Sequence, residues 1–106
     1  MQNQYKQGDI VLVPYPYTDL SGSKQRPVII ISKNSINNEN FIVAKITSVI
    51  RNDEFSFHLY LKVPSEIRTN ELFTIHKTLI KKKFSTIVNS ELKELITSIQ
   101  ENISVK

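Results

Sequence analysis

"GDIVLVPYPYTDLSGSKQRPVIIIS", residues 8–32, holds two β-like runs, 10–13 and 28–31, on either side of a polar loop. In the first run Ile10 and Leu12 alternate with Val11 and Val13, so both faces are apolar and a buried strand is predicted. The second run reads the same way. The loop between them carries an acid (Asp19), hydroxyls (Ser21, Ser23), a tight-turn glycine (Gly22), a cation (Lys24) and an amide (Gln25), most of them groups that contact phosphate oxygens. Pro27 biases Arg26 toward extended backbone, because the proline ring clashes with a helical residue before it. The guanidinium is thereby held at a strand entrance. By residue type alone, the segment reads first as an ordinary solvated hairpin loop.

Further along, the turn-forming cluster "KNSINNEN" (33–40) precedes a third strand, "FIVAKITS" (41–48). In "FSFHLYL" (55–61), Phe55, Phe57, Leu59 and Leu61 face one way and Ser56, His58 and Tyr60 the other, the period of a half-buried strand. "VPS" makes a break, "EIRTNELFTIHKTLI" holds two short strands or one bent strand, and "KKKFSTIV" is a last extended piece. The period then changes. Leu92, Leu95, Ile96, Ile99 and Ile103 lie on one stripe of a helix over about 90–103, with Asn89 as its cap and Glu91 in the first turn, where a carboxylate favours the helix dipole. Short hairpin-linked strands and one terminal helix predict a small, strongly curved antiparallel sheet or partly open barrel.

The chain has 106 residues, 40% of them hydrophobic, which is enough for one core and one domain spanning 1–106. No aliphatic run exceeds four residues, and the start, "MQNQYKQ", is polar, so neither a membrane span nor a secretory segment is expected and the location is read as cytoplasmic. With no cysteine and two histidines, neither a disulfide frame nor a metal cofactor is expected. The net charge of +4 favours polyanionic partners without identifying one.

Several other groups are candidates for chemistry. Thr47 and Ser48 are consecutive hydroxyls at a strand end, where satisfying turn amides is the ordinary role. Arg68 reads as a surface charge with its stem along apolar neighbours. His58 and His76 titrate in the range of a general base, though each is more often structural. Lys81 to Lys83 form a solvated face that discourages edge pairing. Tyr15 and Tyr17 can stack on bases or pack in a core. No nucleophile constellation and no phosphate-binding glycine loop can be assembled from these residues.

The ordered set "GDIVLVPYPYTDLSGSKQRPVIIIS", "FIVAKITS" and "PSEIRTNELFTIHKTLI", with the terminal helix, resembles the PemK/MazF family of toxins from bacterial toxin–antitoxin pairs across nearly the whole chain. The resemblance implies an SH3-like β-barrel with a C-terminal helix, shared with CcdB, and a homodimer. It further implies a metal-independent endoribonuclease that cuts single-stranded RNA at short sequences and has a cognate antitoxin, with DNA binding by the toxin–antitoxin complex. By position, Arg26 and Thr47 match the catalytic arginine and threonine. Ser48 matches a substrate contact and Arg68 the arginine of a later R-x-D pair, while Asp19, Ser21, Lys24 and Gln25 of the loop are candidate substrate contacts by their residue types. The chain departs from the pattern in three places: Asn70 stands where some relatives carry an acid, Lys24 where many carry Glu, and Val88 where relatives often carry a capping Ser. A non-catalytic SH3-like binding module is the alternative. A CcdB-like gyrase poison would use a tryptophan near the end of the terminal helix, and this chain has none.

Overall fold

A computed structural model of the chain describes residues 5–15 and 24–105. Its strands are β1 (Asp9–Tyr15), β2 (Lys24–Ile30), β3 (Asn40–Thr47), β4 (Ser56–Tyr60), β5 (Pro64–His76) and β6 (Lys82–Thr86), followed by the helix α1 (Asn89–Asn102). They form one antiparallel sheet in the order β4-β5-β3-β2-β1-β6.

Both faces of the central strands are covered, which is why their runs are apolar without alternation. Ile10, Ile29, Ala44, Ile46 and Ile67 lie under Leu95 and Ile99 of α1. Their chain neighbours Val11, Val28, Ile30 and Val43 point the other way, with Val13, Phe41 and Ile75, into a second cluster closed by Leu79 and Tyr5. The sheet is curled. Phe57 and Leu59 from one edge and Phe84 from the other pack on the same α1 cluster, and Lys62 Nζ lies 5.6 Å from the centre of the Phe84 ring. Six curled antiparallel strands with one C-terminal helix are the mainly β architecture expected from the sequence.

The Gly8–Asp9 pair works structurally. Gly8 has φ +93°, a conformation that side chains disfavour, and its amide donates to the Ile30 carbonyl at 2.8 Å. Asp9 is buried. Its carboxylate accepts from the Lys6 amide (3.0 Å) and the Thr86 hydroxyl (2.9 Å) and lies 3.4 Å from Lys83 Nζ, so it ties β1 to β6.

Local expectations are corrected in two places and narrowed in a third. Val88, not Asn89, occupies the cap position of α1 and makes no side-chain capping bond, because the helix starts one residue earlier than the hydroxyl-and-amide pattern implied. Ile103 lies beyond the helix end and is 72% exposed, so the apolar stripe ends at Ile99. The 64–76 segment is one strand with a large irregularity, the bent alternative. Among the described residues, no helix is long and apolar enough to cross a membrane.

Candidate functional site

Strand register brings the separate sequence candidates together. β2 and β3 pair Ile30 with Val43, Ile29 with Ala44 and Val28 with Lys45. The paired ladder ends there; by the two-residue period Arg26 lies on the face of Val28, and Thr47, the last residue of β3, on the face of Lys45. Arg26 faces Val13 of β1, Thr47 faces Glu66 of β5, and Glu66 faces His58 of β4. Directly opposed residues share a face. Thr47, Glu66 and His58 thus form one row across three strands, on the face away from α1, and Arg26 lies on that face too. Lys45 lies on the same face one pair along, by the two-residue period of a strand.

Arg26, Lys24 and Gln25 are exposed at the start of β2, and Ser48 is exposed just past β3. Asp19, Ser21 and Tyr17 lie outside the described residues, as does the side chain of Tyr15. The Thr47 hydroxyl accepts from the Val49 amide at 3.1 Å, the turn-amide role expected of a strand-end threonine. That bond orients the oxygen and leaves the hydroxyl proton to donate outward.

Arg68 is not a surface charge: it is 3% exposed. Its guanidinium grips Asp53 through two parallel bonds of 3.0 Å and reaches Glu66 Oε1 at 3.1 Å, Ser56 Oγ at 3.0 Å and Glu71 Oε2 at 3.4 Å. Pairing with β4 causes this: Ser56 pairs with Arg68 as His58 does with Glu66, so the two-residue period puts the Arg68 side chain on the face of buried Glu66. Against β3 the strand is irregular: two residue steps of β3, Ala44 to Ile46, span five of β5, Leu72 to Ile67, and the stretch between is extruded from that pair. Asn70, in the same extrusion, is exposed.

The inward arginine completes a polar cluster that sets the loop after Thr47. Glu66 is fully buried, yet its carboxylate is held below the ordinary range: burial pushes it up, and hydrogen bonds from the Asn52 amide, the Ser56 hydroxyl, the Arg51 amide and Arg68 together outweigh it. The Arg68 hydrogen bond brings the Asp53 carboxyl down to about 2, against partial desolvation and with help from the Phe55 amide and Ser56. The Arg68 guanidinium is raised in turn, first by its bond to Asp53. Asn52 takes φ +54° where the loop folds over Glu66, a conformation asparagine tolerates.

The two histidines differ. His76 hydrogen-bonds the Thr78 hydroxyl and accepts from the Thr78 amide, which makes it a structural cap. His58 is exposed, with Nε2 3.0 Å from Asn52 Oδ1 and Nδ1 3.9 Å from Glu66 Oε2. Two residues of this patch were missed in the sequence. Lys45 was legible there, two positions before Thr47 on a predicted strand. Glu71, whose Oε1 lies 3.5 Å from Lys45 Nζ, carried no local signal, because the extrusion in β5 sets its place. Among the described residues, no group of three or more His, Cys, Asp or Glu could hold a metal ion.

Comparison with known proteins bears on the fold and the family. No curated protein matches the chain in sequence. In shape it is similar to the MazE–MazF complex structure from Deinococcus radiodurans, with a TM-score of 0.79 at 13% identity, covering 99% of this chain and 100% of that one. It is also similar to an endoribonuclease solved with its cognate antitoxin from a mycobacterial species (TM-score 0.77, 11% identity, 96% and 99% covered). A third similar structure is the Mycobacterium tuberculosis toxin MazF-mt6 (TM-score 0.74, 19% identity, 92% and 98% covered). Such identities speak to fold. The family is shown by its profile, which matches residues 6–103: the chain belongs to the PemK-like, MazF-like toxins of type II toxin–antitoxin systems.

Proposed function

We propose that this toxin is a metal-independent endoribonuclease that cuts single-stranded RNA at short sequences, with Arg26 and Thr47 as its catalytic residues. The observation that supports the reading is that Arg26 and Thr47 lie on one face of the sheet, each two residues past the Val28–Lys45 pair, with Lys45 beside them. RNA brings its own nucleophile, so a minimal site suffices. The 2′-oxygen forms a bond to phosphorus, the bond to the 5′-oxygen breaks, and the products are a 2′,3′-cyclic phosphate and a 5′-hydroxyl. Arg26 donates to the non-bridging oxygens as charge grows on the pentacoordinate phosphorus, and the Thr47 hydroxyl donates to the same phosphate. Glu71, held by Lys45 and Arg68, takes the 2′-hydroxyl proton in place of the acid that Asn70 does not supply, and water protonates the departing 5′-oxygen.

Lys24, Gln25 and Ser48 contact flanking phosphates or bases from the two strand ends. Arg68, engaged by three carboxylates, acts by positioning the Thr47 loop instead of binding substrate directly. The natural partner is an acidic antitoxin segment drawn to the same basic groove, on a homodimer in the cytoplasm, consistent with a net charge of +4 and with neighbours solved as antitoxin complexes. Incubation of the purified protein with a long single-stranded RNA in EDTA tests the reading. Discrete fragments ending in cyclic phosphate are expected. Shifted bands without fragments would make the chain a non-catalytic binding module.

A further inference from the structure

The loop after β3, residues 48–52, carries Ser48 and orients the Thr47 hydroxyl through the Val49 amide. Little apolar packing holds it, since Val49 is 64% and Ile50 47% exposed. Polar bonds therefore decide where it sits. Its far end is fastened to Glu66 Oε2, which accepts from the Arg51 amide at 3.1 Å and from the Asn52 amide at 2.8 Å. His58 on β4 closes that end from the solvent side: Nδ1 lies 3.9 Å from the same Glu66 oxygen, and Nε2 lies 3.0 Å from Asn52 Oδ1. One imidazole thus spans both the anchor and the residue it anchors, at a turn where Asn52 has φ +54°.

We propose that His58 is a positioning residue that acts as a pH-sensitive latch: charged, it clamps Asn52 to Glu66 and holds the Thr47 loop in place for cleavage, and neutral, it lets that loop slacken. The proposal rests on the nuclease reading and adds a control to it. Both ring nitrogens face oxygen acceptors. A charged imidazole donates from both, whereas a neutral one has a single N–H to offer, and bonds from a charged donor are roughly twice as strong. Imidazole gains and loses that charge between about pH 5 and 8. Glu66, held below the ordinary carboxylate range, stays an acceptor across that interval. The other charged groups around the ring are Arg68, which binds Glu66 from behind together with Asp53 and Glu71, the exposed Arg51 of the loop, and Glu91 of α1, which lines a recess with His58 and Tyr60. Direct proton transfer at the phosphate is out of reach. Strands are about 4.8 Å apart, so His58 stands roughly 10 Å from Thr47 across β5, against the reach of roughly 3 Å that such transfer requires. His58 therefore acts on the chemistry through the loop.

The test compares wild type with His58→Gln, which keeps a donor for Asn52 but cannot take up a proton. Cleavage of a single-stranded oligonucleotide with one cut site is followed in EDTA from about pH 5.5 to 8.5, and amide hydrogen exchange of Arg51 and Asn52 is read over the same range as protection factors. As pH rises, wild-type kcat is expected to fall about two- to tenfold with KM unchanged, while the protection of both amides falls in step. His58→Gln, folded by its melting temperature, is expected to sit at the lower rate and the lower protection throughout, without that fall. A variant with the wild-type pH profile overturns the proposal. So does wild-type protection that is independent of pH, or protection that changes while kcat stays flat. A wild-type protein that cuts nothing defeats the nuclease reading instead. The latch is then judged on the protection factors alone, where a fall seen in wild type and absent from His58→Gln supports it and equal behaviour of the two proteins overturns it.

Discussion

If Arg26 and Thr47 act on one phosphate, removing both must cost less than the product of removing each. Each lies two residues past the Val28–Lys45 pair, whose opposed Cβ atoms are about 5 Å apart, so a guanidinium and a hydroxyl on that face can meet the same phosphate group. Loss of a preorganised donor to the developing charge costs about 2.7–4 kcal/mol, so Arg26→Ala should reduce single-turnover cleavage by roughly a hundred- to a thousandfold. Thr47→Val loses a neutral donor, about 0.5–1.5 kcal/mol, or roughly two- to tenfold. Groups sharing a partner couple by about 0.5–3 kcal/mol, and the double variant should fall short of the multiplied losses by that amount. The assay is cleavage of a defined oligonucleotide in EDTA, with Thr47→Ser restoring most of the hydroxyl's contribution. Because Arg26 is exposed, its melting temperature should stay near that of wild type. Losses that multiply to within about 0.5 kcal/mol, or a full-rate Arg26→Ala, would refute convergence on one phosphodiester.

The buried cluster makes stability fall in acid. The Asp53 and Glu66 carboxyls are lower in the folded state than their ordinary values of 3.8 and 4.5, so their contribution is complete above those values and is lost as pH falls through the folded values, about 2 for Asp53. Arg68→Ala should lower the melting temperature by about 10 °C or more at neutral pH and move acid unfolding to higher pH; superimposable acid titrations would contradict the role given to this guanidinium. Gly8→Ala should destabilise by about 1–3 kcal/mol, because φ is +93° and a Cβ there would stand 3.2 Å from Ile87 Cγ2 and 3.3 Å from Leu92 Cδ2. Thermal melting checks it, and an unchanged midpoint would show that the backbone relaxes there without strain.

Local pattern was enough to read the strands and the helix. Unbroken apolar runs at 10–13 and 28–31 carry two-sided burial in their composition, and the i, i+3, i+4 stripe carries the helix. The local placement of Arg26 before Pro27 and of Thr47 at a strand end was legible for the same reason, since each depends on near neighbours. What only the tertiary structure decided was who stands opposite whom. Pairing with β4 turns Arg68 from a presumed surface charge into the centre of a carboxylate cluster, and a three-residue extrusion of β5 from β3 brings Glu71 to Lys45. Register between distant strands aligns Thr47, Glu66 and His58 and puts Arg26 on the same face. Pairing of that kind is set by closing the whole sheet around α1, a long-range balance of packing that no window of sequence contains.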